Sequence, residues 1–156
     1  LVSNVSGRIE DSKMTNLLSL VLTFDEIQKL LHGSCGAINP DNVFQKDSSG
    51  YGLEVYPEKR LELGRKPRVT DVIKFYVDNK EIFDKYPALR VGWDRTELNI
   101  GVVTGNKDKA INVAFNLDQR AIFDISAGVE VYIGHKGVRT YFPGYPLEQR
   151  LQELLI

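Results

Sequence analysis

LRVGWDRTELNIGVVTGNKDKAINVAFNLDQRAIFDISAGVEVYI, residues 89–133, switches period twice within 45 residues. Leu89 to Trp93 and Leu98 to Val103 read as two strands joined at Asp94-Arg95-Thr96. In the second of them Leu98, Ile100 and Val102 alternate with Asn99 and Gly101, which gives one apolar face and one thin or polar face. Helical spacing then takes over at 106–117, with Ala110, Ile111, Ala114, Phe115 and Leu117 directed inward. Ala121 to Ile125 and Val129 to Ile133 return to strand and turn at Ser126-Ala127-Gly128. Connections this short make the partners in each hairpin antiparallel.

Upstream, Thr70 opens a helix whose Val72, Ile73, Tyr76, Val77, Ile82 and Phe83 share a face, ending near Tyr86 before Pro87. Downstream, Leu147, Leu151, Leu154 and Leu155 form the stripe of a last helix over 146–155. The fold class is therefore α+β. A four-stranded, mainly antiparallel sheet in the order ββ-α-ββ carries helices on one face, with further helices at the N- and C-terminal ends.

The N-terminal part is less regular. Thr23-Phe24-Asp25-Glu26 has the form of a capping box, and Phe24, Ile27, Leu30 and Leu31 predict a helix over 24–32 that stops at Gly33. The apolar run over 16–22 fits strand or helix equally. Residues 33–50 have the composition of a loop, Leu53 to Tyr56 that of a short strand ended by Pro57, and the basic stretch 58–68 that of a solvated connection. We expect a flexible tail over 1–13 and a single domain over 14–156, divided into an N-terminal subregion (14–68) and a sheet-and-helix core (69–156).

Composition narrows the function. At 156 residues the chain can bury a core without disulfides or metal. Its net charge of -1 does not advertise a polyanion as partner. The single cysteine, Cys35, and the two histidines, His32 and His135, make a zinc site improbable by count, and no cofactor motif is present. One unpaired cysteine suits a reducing cytoplasmic setting. Leu17 to Phe24 is too short to cross a bilayer, and no secretion leader is read, so no membrane role is expected.

The block 70–134 resembles a small α+β domain of the polyvalent and virion-associated proteins of phages and other mobile elements. The resemblance is carried in order by Val91-Gly92-Trp93, by the helix opened at Lys107-Asp108-Lys109-Ala110, by Leu117-Asp118-Gln119 and Ala121-Ile122-Phe123-Asp124, and by Gly128, Glu130 and Ile133-Gly134. It implies an accessory role in a phage or mobile element, in the host cytoplasm, with no catalytic residue to carry over.

The most suggestive chemistry lies in Gly134-His135-Lys136-Gly137-Val138-Arg139-Thr140-Tyr141-Phe142-Pro143. Cleavage of RNA to a cyclic phosphate needs a base, an acid and cations for the phosphorane. His135 is an acid or base of suitable type, Lys136 and Arg139 are cations, and Thr140 or Tyr141 can orient a phosphate. Val138 to Pro143 is similar to the closing strand of barnase-like and colicin-type toxin ribonucleases. A second catalytic group is not evident, although Glu97 and Glu130 are available. The competing reading, a surface loop with ordinary charges, is preferred. Tyr141, Phe142, Tyr145 and Trp93 are aromatic enough to form a contact surface or to be core. Cys35 beside His32 is read as a buried or loop thiol, and Asp94 and Glu97 as turn residues. The expected function is a non-catalytic interaction domain binding another protein or a second copy of itself. The alternative is a small metal-independent toxin-type ribonuclease, the one reading in which RNA is a partner.

Overall fold

The computed structural model of the protein describes residues 24–41 and 46–156. The run 16–22, the Thr23 cap and the tail over 1–13 lie outside the described residues. In chain order the elements are α1 (24–30), β1 (Cys35–Ile38), β2 (Tyr51–Glu54), a 3-10 turn (Pro57–Lys59), β3 (Leu61–Glu62), α2 (Val69–Asp78), α3 (Lys80–Lys85), β4 (Arg90–Asp94), β5 (Glu97–Thr104), α4 (Lys107–Asn116), β6 (Ala121–Asp124), β7 (Val129–Tyr132) and α5 (Leu147–Leu155).

The α+β class and the antiparallel sheet stand, but among the described residues the sheet has seven strands rather than four, in the order β1-β4-β5-β2-β6-β7, with β3 also on β5. The two hairpins are not neighbours. β2 inserts between them, with Gly52 opposite Val103 on one side and Phe123 on the other. Residues 33–50 are thus not all loop, because Cys35–Ile38 pairs antiparallel with β4. Gly36 makes that pairing possible: a Cβ there would come within 2.4 Å of the Trp93 ring.

The connection 58–68 is more ordered than expected. The chain passes from Glu54, opposite Gly101, to Leu61, opposite Leu98, so the extra residues are pushed out as a bulge that holds the 3-10 turn. The predicted helix 70–86 is broken at Asn79 into α2 and α3. Asn79 Nδ2 donates to the Phe75 carbonyl at 2.9 Å, so a side-chain amide takes an acceptor of the helix backbone.

Strand alternation sorts the two faces of the sheet. Leu98, Ile100 and Val102 of β5, Val91 and Trp93 of β4, Leu53 of β2 and Ile122 of β6 point to one side and are buried. They form one cluster with Val72 and Phe75 of α2, Phe83 of α3, Ala110, Val113 and Ala114 of α4, and Leu151 and Leu154 of α5. Each large side chain buried there contributes roughly 1.5–3 kcal/mol.

One buried charge ties α5 to the bulge. Arg150 is 1% exposed. Its two terminal nitrogens donate to Glu58 at 2.8 and 2.7 Å, and it also donates to the carbonyls of Val55 and Tyr145. The rings of Tyr56, Phe142 and Tyr145 surround the guanidinium. The Thr104 hydroxyl donates to the Leu154 carbonyl at 2.9 Å and fixes the other end of α5. The bulge between β2 and β3 is thereby held from the core side.

Candidate functional site: the open face of the sheet

The opposite face of the sheet holds the other set of alternating residues. They line a groove of about 630 Å³, rimmed by Leu30 of α1 and by Lys46 and Asp47. Small residues make its floor. Gly92 lies opposite Asn99, with Ala37 beyond it, and Gly101 lies opposite Arg90 and Glu54. Gly52 adds a further gap, since a Cβ built there meets nothing within 4 Å. The alternation of Asn99 and Gly101, read from sequence as a thin face, is what opens this space.

Carboxylates form a row across the sheet. Asp94 is directly opposite Glu97 on the neighbouring strand, and Glu62 is opposite Glu97 on the other side. Like charges in direct register oppose pairing. Two arginines bridge them. Arg60, from the bulge, pairs with both oxygens of Glu54, donates to the Gly137 carbonyl at 2.9 Å, and sits 3.7 Å from Glu97. Arg120, the residue before β6, donates to Glu130 at 3.3 and 3.2 Å, lies 3.6 Å from Asp94, and stacks over Tyr132. Arg90 donates to Asp47 at 3.2 Å.

Glu97 is the group most altered by this setting. Burial pushes its carboxyl up to about 7; Arg60 opposes the shift, while Glu54, Asp94 and Glu62 add to it. A carboxyl titrating near neutrality in a cleft is a signature of functional sites. Cys35 also lines the groove. Its thiol is raised by burial, then by Asp94 and Glu130, which favours the protonated form.

The residues singled out from sequence scatter. His135 lies outside the groove lining: its Nδ1 is 3.0 Å from Asp118, its ring meets Phe115 edge-on, and its Nε2 is buried with no partner. Arg139 belongs to the same cluster, its backbone N–H donating to Asp118 at 3.2 Å and its guanidinium covering Phe142. Thr140 is exposed. Of that set only Lys136 lines the groove, where Glu97 and Glu130 also stand. Among the aromatics, Trp93 and Phe142 are buried, and Tyr145 is half-buried with its hydroxyl on Glu153. Burial and Glu153 together hold the Tyr145 hydroxyl proton more tightly than usual. Tyr141 alone is fully open, at 71% exposure.

Arg120 and Asn99 were not singled out from sequence, and Arg60 only as one cation of the basic connection 58–68, read as solvated rather than as part of a groove. Asn99 carried a signal, a polar residue on the strand's thin face. Arg60 and Arg120 did not, because their positions depend on the bulge and on the insertion of β2. Among the described residues no group of three or more His, Cys, Asp or Glu side chains is placed to hold a metal ion, and no helix is long and apolar enough to cross a membrane.

Comparison with known protein families, curated proteins and solved structures finds no match to this chain. The groove's own chemistry is therefore what bears on function.

Proposed function

We propose that this chain is a binding domain of the accessory kind that the phage and mobile-element resemblance implies. Its working surface is the open-face groove, and its ligand is a stretch of polypeptide carrying both charges. One observation carries the reading: the groove is lined by Asp47, Glu54, Glu62, Asp94, Glu97 and Glu130 against Lys46, Arg60, Arg90, Arg95, Arg120 and Lys136. The three arginines with defined partners are each already countered by a carboxylate. A surface that holds RNA needs a surplus of cations to displace counterions, and this groove has none. Matched charges of both signs over a small-residue floor suit a peptide, whose amides can meet Asn99 and whose side chains can exchange into the existing ion pairs.

The test is binding of a mixed-charge peptide array and of a single-stranded RNA. Peptides should bind, and Gly52→Leu, which fills open space, should abolish binding while the far-ultraviolet spectrum stays unchanged. Tight RNA binding, or peptide binding indifferent to Gly52→Leu, would refute the proposal.

A second reading is favoured by Glu97. A carboxyl near neutrality with Arg60 and Lys136 on the same groove has the group types of metal-independent RNA cleavage, with Glu97 rather than His135 as the acid–base residue. RNA cleavage without added metal, lost in Glu97→Gln and retained in His135→Ala, would establish it. Intact RNA across pH 5 to 9 would end it.

A further inference from the structure

The last strand of the sheet leaves a self-complementary edge. Among the described residues β7 pairs with β6 alone. The Ile133 N–H donates to the Arg120 carbonyl at 2.8 Å, which fixes the phase of the ladder: Val129 and Val131 turn their backbone groups toward β6, and Glu130 and Tyr132 turn theirs outward. The strand Val129-Glu130-Val131-Tyr132 has no lysine, proline or bulge of the kind that blunts natural edges. Exposed apolar side chains lie on the strand and on the chain that follows it. Val129 and Tyr132 lie on the strand, Val138 and Tyr141 on the segment that leaves it, and Phe115 where His135 folds back.

The geometry points to a second copy of this chain as the occupant, its β7 added antiparallel across a two-fold axis through Val131. This registration sets Glu130 of each copy opposite Tyr132 of the other, so the outward N–H and C=O groups of both residues are used in pairs. It puts no like charges in direct register, whereas a two-fold axis at Glu130 would place two carboxylates face to face. Arg120, which already holds Glu130 and covers Tyr132, stays at the seam. The inference is independent of the ligand assigned to the groove.

Sedimentation equilibrium and light scattering over a wide concentration range test it. The protein should associate to a dimer. Tyr132→Asp, an exposed substitution that brings a carboxylate opposite Glu130, should weaken association at least tenfold. Tyr132→Pro, which removes an outward N–H, should do the same. The charge-swapped double variant Tyr132→Asp/Glu130→Lys should regain association to within about threefold of the parent. A monomer at every concentration, a dimer unmoved by Tyr132→Asp and Tyr132→Pro, or a double variant no better than the single one would each overturn the proposal.

Discussion

Asp94 and Glu97 stand directly opposite one another on adjacent strands, two carboxylates in register on the open face of the sheet. The two-residue turn between them, in which Arg95 takes a left-handed backbone, explains why they are neighbours. It does not explain why both are acidic, since cross-strand like charges cost stability. The pair sits in the groove, where burial raises the carboxyl of Glu97 most, and Glu54 and then Asp94 add to the shift.

That shift gives stability a definite pH dependence. Glu97 titrates at about 7 in the fold against 4.5 ordinarily, so between those values the folded state binds the extra proton. Stability contributed by this group therefore falls as pH rises from 4.5 to 7, and the penalty is complete above 7. Glu97→Gln should remove this dependence and stabilise the protein at pH 8 by on the order of 1 kcal/mol after solvent screening. Urea denaturation at pH 5 and pH 8 checks it. A wild-type protein equally or more stable at pH 8, with no difference from the variant, would contradict it.

Arg150→Leu should be the most damaging of the substitutions considered. It leaves Glu58 and the Val55 and Tyr145 carbonyls without their donor inside a ring of aromatics. Breaking one side of a buried ion pair costs about 3–5 kcal/mol. The midpoint of urea unfolding reads this directly, and Glu58→Gln, which keeps an acceptor in place, should cost less.

His135→Ala separates a structural from a chemical role. The side chain joins the segment after β7 to Asp118 and Phe115. Its loss should cost about 1 kcal/mol of stability, the range of a single hydrogen bond, and leave groove binding unchanged. Loss of binding or of any RNA cleavage with stability intact would put His135 back at the centre.

Gly36→Ala tests how β1 is seated. The added methyl would lie within contact distance of the Trp93 ring, and the indole Nε1 is already buried without a partner. The ring must shift, so tryptophan fluorescence should move to longer wavelength and stability should drop by 1–3 kcal/mol, the usual range for overpacking. An unchanged spectrum would show that β1 is held in another way.

What could be read from sequence was what is local. The period-2 and period-3.6 patterns of residues 89–133 yield both hairpins and α4 to within a residue or two. β1 could not be read: four residues, CGAI, inside a stretch of Gly, Ser, Asn and Asp carry no alternation, and they become a strand only because β4 offers an edge. β3 is two residues long. The insertion of β2 between the hairpins is a long-range pairing of Gly52 with Val103 and Phe123, which no local period encodes. The site followed the same rule. Glu97, Glu130 and Lys136 were visible as residue types, but the groove that collects them depends on pairing across the whole sheet.

The open face of the sheet is the centre of the account, and backbone amide chemical-shift mapping during titration with a binding mixed-charge peptide tests it most directly. The largest shifts should fall on Gly52, Gly92, Asn99, Gly101 and Arg60, with the outward faces of α2 to α5 silent. Shifts concentrated on those helices, with Gly52 and Asn99 unmoved, would contradict it.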